Sequence, residues 1–593
     1  MAESAMEWDL APLVASTETE SLKKQLDSLV IEAEQIAVDY KGRVTTLDAE
    51  EFLVFLKRLE THMLEREGAL KYANLKYAAN SLDPQAKKIS DWGRRAHMKL
   101  RQTLAFAEVE GSHLIDKKRE LMGSSTLAEY RHFLERLLQR APHYLSDSEE
   151  RLTIQKDRFG IDSWYQLQQD WLSTRAFDIE IEGEMKVMPY GEIIGLYEHP
   201  DRHVREEANR IVYAGLGQDD IIWASALRAV LGDHLEMCKD RDWSSPLAPS
   251  LIDNDVDEEI INALMGTVES HVSMYRRYLR LKARLMNLPR LANYDLVAPL
   301  PDMPDRIFSW EEARSLVVQA YSELDPVIAS IVADMFESRR IDGEVRSGKM
   351  SGAFCSSWFS GEAAFILLSF NGRLGEVFTL AHENGHAVHA TLMARSQTMM
   401  NYEIGACVAE TASIFGELLL ADKLISQAET AAEKREVLTK VLDGFGYAVF
   451  QVSARFFFER WLYEAISRGE YLDGETISEY WTKARDKIYG DSVEWMDEMR
   501  WEWTMKPHYY FPRFRYYNYP YVYATLFVFA LYRTHQEQGS KFAPKLVELL
   551  SAGSSRSPRD LGASLGFDIA TSEFWELGMN QADILIDELE SLV

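Results

Sequence analysis

The sequence predicts a mostly α-helical protein with a small β-sheet. Long stretches place apolar residues at three- and four-residue spacing, which is the pattern of amphipathic helices. Strand-like patterns are confined to two short regions, near 177–192 and 341–372. The composition agrees with a folded chain, because 46% apolar and 27% charged residues are the balance of an ordinary globular protein.

Helical patterns dominate residues 19–175, as in LKKQLDSLVIEAEQIAVDY (22–40) and DWGRRAHMKLRQTLAFAEVE (91–110). Next, FDIEIEGEMKVMPYGE (177–192) alternates around a Glu-Gly pair, which predicts a β-hairpin. A further helix is expected in HPDRHVREEANRIVYAGLG (199–217), which has a proline near its start and glycines near its end.

The second half of the chain begins after a proline-rich stretch, NLPRLANYDLVAPLPDMPD (287–305), which we interpret as a linker or lobe junction. Residues 341–372 are punctuated by glycine and serine around one apolar strand, Ala364–Phe370, and helical periodicity then runs almost to the end. These changes predict three regions: an N-terminal helical region (1–175), a hairpin and helical region ending at the junction (176–300), and a C-terminal catalytic region (301–593).

The charge and the apolar runs exclude several classes of function. The chain has 65 basic and 94 acidic residues, a net charge of −29 that repels phosphate backbones, so we expect no nucleic-acid partner. The longest apolar runs fall short of the roughly 18 residues that a membrane span needs. The N-terminus lacks the pattern of a signal peptide, and three widely spaced cysteines indicate a reducing compartment. We therefore expect a cytoplasmic protein.

The strongest chemical signal is the pentapeptide His382-Glu383-Asn384-Gly385-His386, inside a segment with helical periodicity. Histidines four residues apart lie on one helix face, so both imidazoles can reach one ion. Glu383 is rotated by about a third of a turn, so its carboxylate can reach a water molecule on that ion. This pattern is typical of zinc hydrolases, in which the metal lowers the pKa of water and a glutamate takes its proton.

A catalytic zinc needs three protein ligands and an open fourth position. Glu410 lies 24 residues beyond His386 in VAETASIFGELLLA, which has helical spacing, and is the expected third ligand. Glu417 shares its helix face and is a possible acceptor for a ligand imidazole. Glu403 is a weaker alternative, because it precedes the helical run.

A metzincin site would need glycine at position 389 and histidine at position 392, where this chain has His389 and Leu392. That class is therefore excluded. We interpret His389 as a hydrogen-bonded histidine beside the ligands and not as a fourth ligand.

Several segments run in one order over roughly half of the chain: YDLVAPL (294–300), GKMSGAFC (348–355), TLAHENGHAVH (379–389), VAETASIFGE (408–417), and PHYY followed by YPYVYAT (507–525). Together they resemble the thimet oligopeptidase and oligoendopeptidase F metallopeptidases, and the oligoendopeptidase F branch most closely. The resemblance implies one zinc ion on His382, His386 and Glu410, with Glu383 as the general base. It also implies two largely helical lobes around a deep substrate channel, with a small sheet beside the active-site helix.

The tyrosine-rich segment 508–532 would by itself indicate packing. The resemblance places here a histidine and a tyrosine that hydrogen-bond the substrate carbonyl as its oxygen gains charge. His508 matches the histidine. The tyrosine is Tyr521 if the YAT at 523–525 sets the register and Tyr519 if the tyrosines at 516–519 do, and we prefer Tyr521.

The peptide is expected to bind beside the sheet. An edge strand can hold an extended peptide through main-chain hydrogen bonds, and Ala364–Phe370 is one candidate, although an interior strand is an equal alternative. We assign Gly352, Ala353, Phe354 and Tyr519 as substrate-binding residues.

These observations predict a zinc-dependent endopeptidase that acts on short unstructured peptides. A peptidyl-dipeptidase or carboxypeptidase with the same chemistry is the alternative, and it would need a cation such as Arg513 or Arg515 to bind the terminal carboxylate. A peptide-binding protein without catalysis is a third possibility. Glu383 argues against it, because a binder needs no general base.

Overall fold

The computed structural model describes residues 6–301 and 306–593. Helices make up 72% of it, which confirms the mostly helical class with small sheets. The chain divides into two compact units, each assembled from three segments. Unit 1 comprises Met1–Pro142, Asp305–Gln427 and Leu531–Phe567, and unit 2 comprises His143–Pro304, Ala428–Ala530 and Asp568–Val593.

The first α-helices along the chain are α1 (Thr19–Tyr40), α2 (Ala49–Ala79), α3 (Pro84–Leu104), α4 (Phe106–Lys117), α5 (Arg131–Arg140), α6 (Asp147–Asp157), α7 (Ile161–Thr174), α8 (Tyr190–Ile193), α9 (Arg202–Gly217), α10 (Asp220–Asp240), α11 (Ala248–Asn254), α12 (Glu258–Ser270) and α13 (Val272–Leu285). Those that follow are α14 (Trp310–Leu324), α15 (Pro326–Glu337), α16 (Leu374–Ser396), α17 (Ala406–Ala409), α18 (Thr411–Gln427), α19 (Ala431–Phe445), α20 (Val452–Ser467), α21 (Gly474–Tyr489), α22 (Tyr519–Gln538), α23 (Ala543–Ser551), α24 (Pro558–Ser564) and α25 (Ser572–Ser591). The strands are β1 (Ala176–Ile181), β2 (Glu184–Pro189), β3 (Leu291–Ala292), β4 (Ile341–Asp342), β5 (Phe354–Trp358), β6 (Ala363–Leu367) and β7 (Val493–Glu494).

Unit 1 begins with α1, α2 and α3, which pack against one another. Helix α2 begins at a capping box, in which Asp48 and Glu51 satisfy each other's backbone amides. Helix α3 is capped by Asp83, and Pro84 occupies its first helical position. The segment 91–110, which has a helical pattern, is divided at Ala105 between α3 and α4.

The sheet of unit 1 has the strand order β4-β6-β5. Strand β6 is parallel to β4 and antiparallel to β5, and every residue of β6 is buried. The strand predicted at 364–370 is therefore interior, and the edge-strand alternative is wrong. The edge beside the metal motif belongs to β5, whose residues are all half-buried.

Helix α16, which carries the histidine motif, is enclosed within unit 1. The Glu376 carboxylate accepts the backbone amides of Asn371 and Arg373 at 2.6 and 3.1 Å and so caps the helix start. Strands β5 and β6 and helices α15, α18 and α23 all pack against it. The motif is therefore held on a rigid element, as a precise site requires.

Unit 2 contains the predicted hairpin. Strands β1 and β2 pair antiparallel, and Glu182 and Gly183 between them both have positive φ, as in a tight type I′ turn. Strands β3 and β7 form a short parallel pair, so part of the predicted junction is ordered. Residues 302–305 of that junction lie outside the described residues.

In the described ranges, no helix combines the length and the apolar character that a membrane crossing demands. Cys238, Cys355 and Cys407 are all free thiols.

Candidate metal centre

Three side chains of unit 1 converge on one point. His382 and His386 project from α16 with their ring centroids 4.9 Å apart. One Glu410 carboxylate oxygen lies 3.3 Å from Nε2 of each histidine, and the three donor atoms are within 4.8 Å of one another. Two imidazoles and one carboxylate are the ligand set of a catalytic zinc site, so the residues fit that ion.

Glu410 occupies a break in the backbone between α17 and α18, with φ −87° and ψ 5°. Ser413 Oγ donates to its carboxylate at 2.8 Å. Burial would raise the pKa of Glu410, but the hydrogen bond from His386 and the charges of both histidines hold it at about 2. The carboxylate is therefore anionic over the physiological pH range, as a metal ligand requires.

Glu417 hydrogen-bonds His382 from the side opposite the convergence point. Its Oε1 lies 2.6 Å from His382 Nδ1. With Nδ1 engaged as a donor, Nε2 would be the nitrogen that coordinates a metal ion, which is the usual arrangement of histidine ligands.

The Glu383 carboxyl is buried next to the three donors but is not one of them. Burial raises the pKa of Glu383, and the neighbouring histidines only partly oppose this. A carboxylate with a raised pKa is a stronger base, which suits proton abstraction near neutral pH.

The donors line a cavity of about 440 Å³. Ala353 and Phe354, both expected to contact substrate, line it too, together with Cys355 and Ser357 of β5. Gly352 does not line it and instead forms the bend before β5, with φ +87°. His389 also lines the cavity and is buried, and burial followed by the charge of His386 lowers its pKa to about 3.

Close packing of α16 on α18 depends on Gly385. A Cβ atom at Gly385 would lie 2.5 Å from Ser413 Cα and still closer to the Ala412 carbonyl oxygen. The two helices that bring the ligands together therefore touch backbone to backbone at this residue.

Most of the sequence matches one known protein family. The model for peptidase family M3 matches residues 196–581, well over half of the chain. The chain belongs to peptidase family M3. A second model, described as oligopeptidase F, matches residues 116–174. These matches confirm the resemblance seen in the sequence.

Relatives of this M3 peptidase cover its length. It is 27% identical to group B oligopeptidase PepB of Streptococcus agalactiae over 604 aligned residues, which cover 100% of this chain and 98% of PepB. It is 25% identical to oligopeptidase PepF of Bacillus subtilis, covering 93% of this chain and 82% of PepF.

Solved structures share its fold. A crystal structure from Chlamydophila abortus has a TM-score of 0.89 at 20% identity and covers 99% of this chain and 98% of its own. Oligoendopeptidase F from Enterococcus faecium has a TM-score of 0.71 at 23% identity, covering 97% of this chain and 99% of its own.

The two tyrosines considered for this M3 peptidase have different environments in unit 2. The Tyr519 hydroxyl is buried, donates to the Ser250 carbonyl at 3.0 Å and accepts from Asn254 Nδ2 at 3.1 Å. Tyr521, in contrast, is 40% exposed. The Tyr519 hydroxyl is therefore engaged within unit 2, whereas part of the Tyr521 side chain is open to solvent.

His508 is half-buried in the same unit. Its ring stacks on Tyr517 with a centroid distance of 4.8 Å, and Tyr517 in turn meets the Tyr521 ring at 5.6 Å. Burial, with the charges of Arg455 and Lys506, lowers the pKa of His508 to about 4, so the imidazole is neutral at pH 7. Tyr517, which joins the two predicted residues, was not predicted, because nothing in its spacing distinguishes it from its tyrosine neighbours.

Of the two arginines considered for carboxylate capture, Arg515 is buried and donates to the Tyr509 carbonyl at 2.8 Å. The Arg513 side chain is 61% exposed, with Asp162 4.0 Å away.

Replacing Glu417 with alanine should weaken zinc binding about 10- to 100-fold, because His382 loses the partner that orients its ring. Zinc affinity measured by chelator competition would test this. Glu323→Ala, which removes a surface partner of Lys423, is the control and should leave the affinity unchanged. Equal affinities in the two variants would contradict an orienting role for Glu417.

Gly385→Ala should lower the free energy of unfolding by about 1–3 kcal/mol and weaken zinc binding, because the added methyl group separates α16 from α18. Thermal unfolding and chelator competition measure the two effects. Gly375→Ala is a matched control in the same helix, since a Cβ atom there meets nothing within 4 Å. If the two variants were equally stable, backbone contact at Gly385 would not limit the packing.

Proposed function

We propose that this M3 peptidase is a zinc-dependent oligoendopeptidase that hydrolyses internal bonds of short unstructured peptides. The observation that carries the proposal is the convergence of His382, His386 and Glu410 beside the buried carboxyl of Glu383. A catalytic zinc peptidase needs three such ligands and a base that is not a ligand. The three free cysteines favour the cytoplasm as its location.

His382, His386 and Glu410 would hold one zinc ion per chain. A zinc ion bound there lowers the pKa of a water molecule and polarises the peptide carbonyl. Glu383 accepts the proton of the attacking water and then delivers it to the leaving amine. Glu417 meanwhile keeps the His382 ring in the tautomer that presents Nε2.

We assign His508 and Tyr521 to stabilise the oxygen of the substrate carbonyl as it gains negative charge. A neutral imidazole carries one N–H and a tyrosine one O–H, so each can donate a hydrogen bond. The lowered pKa of His508 and the exposure of Tyr521 support this assignment.

The peptide backbone is assigned to the edge of β5, beginning at Phe354. That edge belongs to the strand that lines the donor cavity, and β-strand addition holds an extended peptide largely independently of its sequence. A substrate bound in this way must first give up its own secondary structure.

The test is to offer one cleavable sequence as a short peptide, within a long unfolded chain and inside a stable folded domain. The folded form should be cut at least about 10³-fold more slowly than the peptide, because opening a folded segment can require up to the global stability of about 5–15 kcal/mol. Mass spectrometry should place the cuts at internal bonds, and a zinc chelator should abolish them. Similar kcat/KM for the peptide and the folded domain would contradict the proposal, and cuts only at the C-terminus would identify an exopeptidase.

A further inference from the structure

A second and larger cavity of unit 1, of about 910 Å³, adjoins the metal centre. Five methionines line it and define what we call the methionine cavity: Met63, Met98, Met393, Met399 and Met400. Helices α2 and α3 form one wall, and Ser356 and Ser357 of β5 contribute to another. This volume lies within the range of small-ligand sites, about 300–1,000 Å³.

The methionine cavity and the donor cavity share part of their lining. Ser357, Met393 and Ile404 line both. Met393 lies seven residues beyond His386, so it projects from nearly the same face of α16 two turns further along. A peptide that passes the metal ligands along β5 therefore reaches the methionines next.

The wall of the methionine cavity carries a cation without a partner. Arg66 is half-buried, and among the described residues its guanidinium makes no hydrogen bond and no ion pair. Burying a charge without a partner is unfavourable, and a bound carboxylate would relieve this.

The neighbouring acids do not neutralise Arg66. The Glu67 carboxylate accepts the backbone amides of Phe359 and Ser360 at 2.9 and 3.0 Å and lies 3.7 Å from Lys71. Glu403, the other acid of the wall, is exposed to solvent. Within the described residues, the Arg66 guanidinium is thus a positive charge in the cavity wall that no carboxylate pairs with.

We propose that the methionine cavity binds the part of the peptide substrate on one side of the scissile bond, with an apolar side chain against the methionines and a carboxylate at Arg66. The inference rests on the proposed function and adds a substrate class to it. Methionine is flexible and polarisable, so the cavity accepts apolar side chains of different shapes. The carboxylate is supplied either by an acidic side chain or by the free C-terminus of a short peptide.

The first experiment measures binding of labelled peptides to the zinc-loaded Glu383→Gln protein. This variant is expected to cleave peptides too slowly to disturb the binding measurement. Peptides of one sequence carry glutamate or glutamine at successive positions, and a free or amidated C-terminus. A carboxylate at one of these places should tighten binding by about tenfold, the ordinary effect of a hydrogen bond to a charged group. If the glutamate peptides bind more tightly, the carboxylate comes from an acidic side chain, and if the peptides with a free C-terminus do, it comes from the peptide terminus.

Introducing Arg66→Gln into the Glu383→Gln protein should remove this tenfold preference without changing the affinity for the uncharged peptides. Arg66→Lys in the same protein should retain part of the preference. Arg95→Gln is the control, because Arg95 is 77% exposed and does not line the cavity. Thermal unfolding verifies that each variant is folded. The role of Arg66 would be overturned if the Glu383→Gln protein bound charged and uncharged peptides with equal affinity. It would also be overturned if Arg66→Gln lowered the affinity for both kinds of peptide equally.

The second experiment replaces alanine in the peptide by leucine, methionine or phenylalanine at successive positions. At one position, the peptides with leucine, methionine or phenylalanine should each bind about tenfold tighter than the alanine peptide, and their affinities should differ little from one another. Met63→Gln keeps the cavity volume but should reduce this preference, whereas Met185→Gln, on the exposed strand β2, should not. An unchanged preference in Met63→Gln would overturn the apolar subsite.

Failure of this inference is distinguishable from failure of the proposed function. If the zinc-loaded wild type cleaves the peptides without either preference, the proposed function stands and the subsite is wrong. If it cleaves none of them but the Glu383→Gln protein binds with both preferences, the subsite stands and the proposed function is wrong.

Discussion

Replacing Glu383 with glutamine is expected to lower kcat by about 10²–10⁴-fold, the usual effect of losing a general base. Zinc content should stay near that of the wild type, because the converging donors are His382, His386 and Glu410. Glutamine keeps the size of the side chain, so the cavity around it is preserved. Single-turnover cleavage of a short peptide and elemental analysis of the same samples measure both effects.

A suitable control for this variant is Glu362→Gln, a surface carboxylate that pairs with Arg395. It should leave both the rate and the zinc content unchanged. A Glu383→Gln protein that keeps more than half of the wild-type rate would rule out the assigned role.

Glu410→Ala is expected to remove zinc and, with it, nearly all activity. Two imidazoles would remain, one fewer than the three protein ligands that a catalytic zinc needs. The loss would also leave His386 without the carboxylate that now lies 3.3 Å from it. Zinc content after dialysis and the zinc concentration needed for half-maximal cleavage are the measurements.

Glu403→Ala is the matched comparison, because Glu403 was the alternative third ligand and is not among the converging donors. It should retain zinc. Full occupancy in Glu410→Ala together with depletion in Glu403→Ala would mean that the third ligand is misassigned.

The position of the ligand helix was predictable from the sequence, because the period of apolar residues and the four-residue separation of the histidines are local properties. The break at Glu410 was not predictable. VAETASIFGELLLA has uninterrupted helical spacing, and the backbone leaves the helix at Glu410 while its carboxylate lies against two histidines of another helix. Contacts between distant segments thus overrode a local preference.

The strand at 364–370 and the choice between Tyr519 and Tyr521 show the same limit. An apolar run predicts a buried strand but does not specify its neighbours, and β6 proved to be central because β4 and β5 pair on either side of it. Likewise, Tyr519 is engaged by Ser250 and Asn254, more than 260 positions earlier in the chain. Neither the strand neighbours of β6 nor the hydrogen-bond partners of Tyr519 can be predicted from a local sequence pattern.

The methionine cavity could not be predicted from the sequence either. Its methionines are spread between positions 63 and 400, so no local pattern brings them together. Arg66 likewise looks like any charged residue on an amphipathic helix.

The segmented construction of unit 1 bears on how the protein is made. Helix α16 is complete by residue 396, but α23, which packs against it, ends at Ser551. Gln397 donates to the Ser551 carbonyl at 2.8 Å, and Ser554 donates its backbone amide to the Asn401 carbonyl at 2.8 Å. During synthesis, about 150 further residues must be added after α16 before α23 is complete. At about 5–20 residues per second this takes about 8–30 s. During that interval the surface of α16 that α23 later covers is exposed, and surface exposed in this way promotes aggregation where it is apolar.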